Sequence, residues 1–297
     1  MDTITLGNVE LIRVFERPLV RMPRAFVFPD SDPELWRRNA DWLEPEFFDA
    51  GADELRFSMQ SWVLRSEGRT ILVDTGIGNA KQRPGMPAFH ELDTPYLAEL
   101  AAVGVAPDDV DVVVCTHVHG DHVGWNTQLV DGEWVPTFGN ARYLFARADF
   151  DFWDPANGHP TRSGPRMENV FDDSVAPVHR AGLTELWDDH YDIDANLRLE
   201  PAPGHTPGSA VLWLRSGTDR AAFVGDLLHS PLQVVEPDES PCFDEDEAAS
   251  RVTRRRVLAQ VAGERALLVP AHFPGAGAAE VRAEAGGYTI SRWAAFH

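Results

Sequence analysis

The sequence predicts an α/β protein in which helices cover packed β-sheets, and three observations support this fold class. First, apolar runs of strand length, such as "VVVC" at residues 112–115, are followed or preceded by stretches whose apolar residues recur at helical spacing. Second, the second half of the chain repeats the strand-and-loop order of the first half. Third, three strands of the second half end in loops that carry a histidine or an aspartate.

The length allows one large domain or two small ones, and since no boundary along the chain is convincing, we predict one domain over residues 1–297. The chain is long enough to bury a substantial core without disulfides, and its 43% hydrophobic and 25% charged residues are ordinary for a soluble protein. The net charge of -21 argues against nucleic acid and anionic membranes as partners, because both would repel the chain. We expect a cytoplasmic protein, since the start lacks signal-peptide features and no apolar run reaches the ~18 residues of a membrane span.

The first half begins with a predicted strand over residues 3–15. A Pro-rich and aromatic-rich excursion follows at about 17–55, with a short helical stretch near 34–43, and would serve as a covering layer, a lid or the arm of a homodimer. Two strands come next, "RFSMQSWVLRS" and "TILVDTGIG", joined by a turn. The segment "TPYLAELAAVGV" has helical spacing and leads into the fully buried strand at "VVVC".

The rest of the chain continues in the same pattern. The strand "ARYLFA" and a helical start at "RADFDFW" precede an irregular insertion at about 154–182, which is rich in Pro, Gly, Asn and Ser. Three strands and a helix follow, in "LRLEPAPGHTPGSAVLWLRS", "RAAFVGDLLHSP", "DEDEAASRVTRRRVLAQVAG" and "ALLVPAHFPG". Cys115 and Cys242 form no disulfide framework.

Four candidate metal ligands crowd directly after the buried strand: His117, His119, Asp121 and His122. Imidazole and carboxylate are ligands of a borderline ion such as Zn²⁺. The i, i+2 spacing of the first two histidines suits an extended loop in which both rings reach a common point. Asp121 and His122 can turn to a second point a few ångströms away, so the cluster suggests two metals.

Three downstream loops carry further candidates. His205 lies in "APGHTPG", Asp226 in "FVGDLLH" and His272 in "VPAHFPG", each after a predicted strand and beside Gly or Pro. Taken singly, each is more typical of a structural histidine or a turn aspartate. Together with the first cluster, they indicate one metal centre.

In the order and flanks of these motifs, the chain resembles the metallo-β-lactamase-fold hydrolase superfamily, over about "SWVLRSEGRTILVDTGIG" to "PAHFPG". The resemblance implies an α/β fold arranged as a four-layer αββα sandwich, with the metals in a groove at one edge of the two sheets. It implies that His117, His119 and His205 bind the first of two divalent ions. Asp121, His122 and His272 would bind the second ion, and Asp226 would bridge the two.

The resemblance also bears on the branch of the superfamily. Asp226 stands where members that cleave β-lactams tend to have cysteine. Acyl-homoserine lactonases usually carry a tyrosine and a histidine where this chain has His229 and Ser209, and the pattern from Asp226 to Gln233 is more similar to the methyl-parathion-hydrolase branch. Asp74 matches an aspartate near the metal groove and would orient a ligand, or else serve as a strand-end turn residue.

A hydrolase of this kind would use a hydroxide shared by two metals to attack an ester, lactone or phosphotriester. Asp121 or Asp226 would accept a proton, and His229 would bind a metal ligand or a substrate oxygen. The substrate is expected to be a small molecule, and the ions to be zinc, although the same ligands accept Mn, Co or Fe. Six aromatic residues are candidates for an apolar substrate wall, although each taken singly is more typical of ordinary core: Trp36, Trp42, Phe47, Phe48, Trp125 and Trp153.

Three other functions remain open at this point. One is a mononuclear iron oxygenase of the same fold. Another is a glyoxalase-II-like thioesterase, whose substrates call for a basic patch such as "RVTRRRVL", which at helical spacing also reads as a solvated face. The third is a non-catalytic binding module, which loss of any candidate ligand would have favoured.

Overall fold

Over residues 2–296, the computed structural model consists of two mixed β-sheets, a separate hairpin and eight α-helices. The strands are β1 (Thr3–Leu6), β2 (Val9–Pro23), β3 (Phe48–Asp49), β4 (Glu54–Ser66), β5 (Arg69–Val73), β6 (Val112–Val114), β7 (Thr127–Val130), β8 (Glu133–Pro136), β9 (Arg142–Ala146), β10 (Thr184–Trp187), β11 (Tyr191–Asp192), β12 (Leu197–Pro201), β13 (Ala210–Ser216), β14 (Asp219–Gly225), β15 (Leu267–Pro270), β16 (Ala279–Glu284) and β17 (Gly287–Trp293). The helices are α1 (Arg24–Val27), α2 (Pro33–Arg38), α3 (Ala40–Leu43), α4 (Tyr96–Ala102), α5 (Arg147–Trp153), α6 (Ala176–Arg180), α7 (Leu232–Val235) and α8 (Glu247–Glu264).

The order of the strands brings several loops to one edge. The first sheet runs β1-β2-β4-β5-β6-β9-β10, with β3 paired to β4, and its last four strands are parallel. The second sheet runs from β11 to β17 in chain order and is antiparallel except for the pair β14–β15. Parallel neighbours end at the same edge of a sheet. The loops after β5 and β6 therefore emerge together, as do the loops after β14 and β15.

The alternation of side chains along the strands divides the interior into layers. In β6, Val112 and Val114 face a core between the two sheets, where they join Phe223 of β14. Val113 faces the other way and packs in a cluster that includes Leu100 of α4. Both faces of β6 are thus covered, which explains its continuous apolar run. The prediction of a fully buried strand at this position is confirmed.

The outer face of the second sheet is covered by α8. Val257, Leu258 and Val261 of this helix share a cluster with Ala222 and Val224 of β14. The helix begins after Asp246, whose side chain accepts a hydrogen bond from the backbone N–H of Ala249 at 3.0 Å. With helices outside each of two packed sheets, the predicted α/β fold and four-layer αββα sandwich are confirmed.

The beginning of the chain differs from the sequence-based expectation. The strand predicted over residues 3–15 is a hairpin of β1 and β2, because Gly7 adopts a φ of 59° and turns the chain. A Cβ at Gly7 would lie 2.4 Å from the carbonyl oxygen of Ser216. Strand β2 then continues to Pro23, since Val20 and Met22 are buried and pair with β4. The excursion expected from about residue 17 accordingly begins inside a strand.

The insertion expected at about 154–182 consists mainly of single helical turns. These turns lie at Pro155–Asn157, Gly164–Met167 and Phe171–Val175, and α6 follows the last of them. Among residues 2–296, no helix combines the length and the apolar character needed to cross a bilayer.

Candidate metal centre

The loop after β6 carries the first four candidate ligands and is held by the loop after β5. The carboxylate of Asp74 accepts hydrogen bonds from the backbone N–H and the hydroxyl of Thr116, both at 2.8 Å. Backbone hydrogen bonds also join Thr75 to the carbonyl of His122 at 2.7 Å. The two loops approach so closely that a Cβ at Gly124 would lie 1.8 Å from the carbonyl oxygen of Ile77. Only glycine fits there, and the loop is fixed by its backbone.

The other candidates come from the second sheet. His205 follows β12, Asp226 follows β14 and His272 follows β15. At the end of β14 the pairing with β15 is interrupted between Phe223 and Gly225, and Gly225 has a φ of 51°. This irregularity turns the chain at the residue before Asp226. The two sheets thereby direct their ligands at the same edge.

The structure brings all seven candidates together in two groups. His117, His119, His205 and Asp226 offer one donor atom each within 4.8 Å of one another, and so do Asp121, His122 and His272. Asp226 also reaches the second group. Its Oδ1 atom lies 3.2 Å from Nε2 of His122 and 3.0 Å from Nε2 of His272, while its Oδ2 atom lies 3.5 Å from Nε2 of His205. One carboxylate oxygen therefore faces each group.

A hydrogen bond orients each of four imidazoles through the ring nitrogen that faces away from the centre. Nδ1 of His122 lies 2.9 Å from Asp74, and Nδ1 of His205 lies 3.0 Å from Asp244. The remaining contacts of this kind join His272 to the carbonyl of Ser58 at 3.1 Å and His117 to the hydroxyl of Thr116 at 3.1 Å. Such contacts select the tautomer of a metal-binding histidine and fix its ring. Asp74 thus contacts a candidate ligand, His122, as the resemblance implied.

The arrangement of lone pairs tests whether cations fit this centre. A carbonyl oxygen can only accept, so Nδ1 of His272 donates to Ser58, and a neutral His272 then has its lone pair on Nε2. The same reasoning applies to His122, whose Nδ1 donates to Asp74. The two Nε2 atoms nevertheless lie 3.2 Å apart. Two neutral rings would therefore direct lone pairs at each other. Asp226 and Asp121 outweigh burial and raise the pKa of His122 well above the usual value of a histidine, and they raise the pKa of His272 as well. A divalent ion between or beside the two nitrogens would replace these protons.

Other buried nitrogen and oxygen atoms of the centre lack a hydrogen-bond partner within the described residues, a place that a metal ion would take. Among residues 2–296, Nε2 of His117 and Oδ1 of Asp226 are buried without a hydrogen bond of acceptable geometry. Within the same residues, Nε2 of His119 is also buried without a hydrogen bond. Imidazole nitrogens and carboxylate oxygens suit zinc and related divalent ions. The donor set therefore fits two such ions.

The protonation of the first group favours metal binding. Burial, reinforced by the imidazole of His122, holds the pKa of His117 well below the usual value of a histidine. Burial and the imidazole of His205 do the same to the pKa of His119. Burial alone would raise the pKa of Asp226, but His122 and His272 outweigh it and hold that pKa well below the usual value of an aspartate. At neutral pH these groups present lone pairs and a negative charge.

Three contacts that hold the centre together could not be read from the sequence. Asp149 of α5 is buried and accepts hydrogen bonds from the backbone of Val118 at 2.8 Å, the backbone of Gly208 at 2.6 Å and the hydroxyl of Thr206 at 2.9 Å. It thus joins the loop of His117 to the loop of His205. Asp244 and the Ser58 carbonyl are the other two. Their only sequence signals were an acidic run and a strand, which are features of many surfaces and sheets.

A cavity opens onto the centre and has mostly apolar walls. Its lining includes Asp121, Asp226, His229 and His272. The apolar walls are formed by Met22, Phe57, Met59, Met86, Phe89, Met167 and Phe243. None of the six aromatic residues considered from the sequence as a substrate wall belongs to this lining, so the wall prediction is wrong. The alternative, ordinary core packing, is confirmed for all of them except Trp42.

These six aromatic residues have other places in the fold. Trp36, Phe47 and Phe48 are buried in the main cluster beside the second sheet. Trp125 stacks on Tyr96, with ring centroids 5.5 Å apart. Trp42 lies on the surface and is 37% exposed. Trp153 packs edge-on against the ring of His119. Sequence alone did not reveal which aromatic residues face the groove.

His229 lies between the centre and the cavity. Its Nε2 atom is 3.2 Å from Oδ2 of Asp226, and its ring stacks on Phe243 with centroids 5.6 Å apart. The side-chain oxygen of Gln233 accepts hydrogen bonds from the backbone N–H groups of His229 at 2.6 Å and Ser230 at 3.2 Å. The side chain of Gln233 thereby holds the loop that carries His229. Neither ring nitrogen of His229 makes a hydrogen bond of acceptable geometry within residues 2–296.

Comparisons with known proteins identify the family of the chain. A family model described as the Metallo-beta-lactamase superfamily matches residues 57–272. Among curated relatives, a beta-lactamase-like protein 2 homolog of Caenorhabditis elegans is 25% identical over 176 residues, which are 57% of this chain and 43% of that protein. The N-acyl homoserine lactonase AttM of Azorhizobium caulinodans is 29% identical over 129 residues, 41% of this chain and 42% of AttM. The matched part thus spans less than half of either relative.

A solved structure extends the similarity to the whole fold. AidC, described as a dizinc quorum-quenching lactonase in complex with a product, superposes with a TM-score of 0.78. The superposition covers 99% of this chain and 98% of AidC, at 21% sequence identity. At that identity the likeness concerns the fold.

Proposed function

Because the chain belongs to the metallo-β-lactamase superfamily, we propose that it is a metal-dependent hydrolase that acts on an ester, lactone or phosphotriester at a dinuclear centre. His117, His119 and His205 would hold one ion, and the second group would hold the other. The observation that carries the proposal is the position of Asp226, which directs one carboxylate oxygen to each group. A carboxylate so placed can bridge two ions at the end of an open cavity.

The ions themselves would be zinc. The ligand set of imidazoles and carboxylates suits zinc, and AidC is described as a dizinc enzyme. When bound, divalent ions supply Lewis acidity and lower the pKa of a water molecule to about 7. No serine or cysteine nucleophile is then required.

The protein's own groups would position the substrate and move protons. Asp121 lines the cavity, and its side chain is 15% exposed, against 5% or less for the ligands His122, His272 and Asp226. It is therefore the carboxylate best placed to take a proton from the attacking water. Burial lowers the pKa of His229 despite the opposing charge of Asp226, so its ring is neutral and carries one N–H. That N–H would donate to a substrate oxygen in the cavity.

Lactones are the first substrates to consider. AttM is named as an N-acyl homoserine lactonase, and AidC is described as a quorum-quenching lactonase. The apolar walls of the cavity would bury the hydrocarbon part of such a substrate at about 25 cal/mol per Å² of apolar area.

The alternatives receive less support. A mononuclear iron oxygenase would not require the second group, yet Asp121, His122 and His272 converge as closely as the first group. A glyoxalase-II-like activity would call for a free basic patch, but Arg254 is buried among backbone carbonyls and Arg255 is paired with Asp238 at 2.6 Å. A non-catalytic module has no need of seven convergent donors.

The test is a hydrolysis screen of the purified protein with p-nitrophenyl esters, lactones, phosphotriesters and β-lactams. Each substrate would be assayed with chelator-treated protein and with the same protein after return of zinc. We expect turnover of at least one ester, lactone or phosphotriester that zinc restores. H117A would be inactive, and H190A, which alters an exposed histidine, would serve as the matched control. Absence of zinc-dependent turnover in every class would reject the proposal.

A further inference from the structure

Arg166 is a cationic side chain in the wall of an otherwise largely apolar cavity. It lies in the single helical turn Gly164–Met167 and lines the same cavity as Asp121, Asp226 and His272. No sequence motif singled it out, since it sits in the irregular insertion. Its position beside the proposed metal centre makes it a candidate for substrate recognition.

The guanidinium of Arg166 is held by its neighbours but incompletely satisfied. Nη2 donates to the carbonyl of Cys242 at 3.2 Å and to that of Arg162 at 3.4 Å, and the group lies 5.5 Å from the ring centroid of Phe243. Nη1 faces only the sulfur of Cys242, at 3.9 Å. Nε is buried and has no hydrogen-bond partner within residues 2–296. A buried donor without an acceptor is unfavourable unless a ligand supplies one.

The charge of Arg166 is also uncompensated. Within residues 2–296, no carboxylate oxygen lies within 4.0 Å of its guanidinium, although the chain carries a net charge of -21. Arg162, one helical turn earlier, shows the contrast, because its Nη2 atom pairs with Glu247 at 2.7 Å. The carboxylates that line the cavity are Asp121 and Asp226, and both belong to the proposed metal centre. With two divalent ions bound, the cavity would carry a net positive charge.

We propose that Arg166 is a specificity-determining residue that binds a carboxylate carried by the substrate away from the bond that is hydrolysed. The inference rests on the proposed hydrolase function and narrows its substrate class to esters or lactones that combine an apolar chain with a carboxylate. Within residues 2–296, Nη1 has no oxygen acceptor, and it can donate a charge-assisted hydrogen bond to one oxygen of such a carboxylate. A phosphate is less suitable, since its third oxygen and second charge would meet apolar walls such as Met86 and Phe89.

The experiment compares two esters of equal chain length that differ in one charge. These are p-nitrophenyl hexanoate and the mono-p-nitrophenyl ester of adipic acid. For the wild type, we expect a higher kcat/KM with the adipate monoester. In R166Q the ratio of kcat/KM for the adipate monoester to that for the hexanoate should fall about 10- to 100-fold, because a charge-assisted hydrogen bond is lost. R162Q, a neighbouring arginine paired outside the cavity, should keep the wild-type ratio.

Each outcome decides the inference. If the ratio is unchanged in R166Q, the inference is overturned, and this includes an equal loss of kcat/KM with both esters. Thermal unfolding shows whether the variant is folded. R166K keeps the charge and should recover part of the ratio. If the wild type hydrolyses neither ester, the proposed hydrolysis is rejected for p-nitrophenyl esters. Binding of adipate then decides whether Arg166 recognises a carboxylate. Adipate should raise the unfolding temperature of the zinc-loaded wild type and not that of R166Q; equal shifts in both would reject the inference.

Discussion

The Nε2 atoms of His122 and His272 lie 3.2 Å apart, although the Nδ1 atom of each ring already donates to an oxygen. The protein thus directs two imidazole Nε2 atoms at one point from loops of different sheets. Rigid orientation of this kind is what a metal site requires, since the ligands must be placed before the ion binds. The seven donor residues, the contacts that orient them and the cavity in front form one unit with testable parts.

The first prediction concerns His119. Its Nδ1 atom lies 2.9 Å from Nε2 of His205, and it is carried by a loop above the intact core around β6. We expect H119A to lower kcat/KM at least about 100-fold, because one ligand of the first ion is removed. The unfolding free energy of the chelator-treated variant should stay within about 1 kcal/mol of the wild type. Near-normal turnover of H119A would show that the ligand assignment is wrong.

Asp149 provides a second prediction. Its carboxylate accepts from three donors, whereas an asparagine would present an amide N–H to at least one of them. D149N should lose about 1–3 kcal/mol of unfolding free energy and bind zinc about 10- to 100-fold more weakly. Urea unfolding and competition with a chelator measure the two effects. D151N, on the exposed face of the same helix, is the control, and equal behaviour of the two variants would remove the proposed role of Asp149.

A variant of His229 distinguishes a role in substrate contact from a role in metal binding. It faces the cavity beside Asp226 but belongs to neither group of convergent donors. H229A should lower kcat by about 100-fold or more, in the range of a lost hydrogen-bonding or acid–base group. Its metal content should equal that of the wild type. Loss of an ion together with activity would instead make His229 a ligand.

Lys81, the single lysine of the chain, should make the free energy of unfolding depend on pH. Its ammonium is buried, 2.6 Å from the hydroxyl of Thr127 and 3.5 Å from Asp173. Burial, partly opposed by Asp173, lowers the pKa of Lys81 to about 7. The unfolded chain keeps this proton up to about pH 10.4, so between about pH 7 and 10 the unfolded state binds more protons and stability rises with pH.

The comparison with K81M isolates this contribution. Relative to K81M, the wild type should gain about 1.4 kcal/mol of unfolding free energy per pH unit above pH 7. Between pH 7.5 and 9 the difference should therefore grow by about 2 kcal/mol in urea unfolding. A difference that stays constant with pH would mean that the lysine keeps its proton when buried.

Some features of this fold were accessible from the sequence because they depend on neighbours along the chain. The valines of β6 are buried on both faces and produce a continuous apolar run, and the cluster from His117 to His122 follows it directly. His205 and Asp226 directly follow glycines with positive φ, and His272 lies between two prolines. Strand ends and their loops are local features, and the sequence records them.

Contacts between distant segments were not accessible. Asp244 lies 39 positions from His205 and stood in an acidic run, where a solvated helix start is the usual meaning. The carbonyl of Ser58 orients His272 across 214 positions and has no side-chain signal at all. Arg254 occurs in "RVTRRRVL", which suggested a solvated face, yet it is buried because Leu227, Pro237 and Glu239 offer it backbone carbonyls.

The number of metal ions bound per chain shows whether the centre is dinuclear. Protein loaded with zinc and dialysed would be measured by inductively coupled plasma mass spectrometry, together with H272A, which lacks one donor of the second group. We expect about two ions per wild-type chain and about one per chain of H272A. One ion or none in the wild type, or the same content in H272A as in the wild type, would contradict a dinuclear centre.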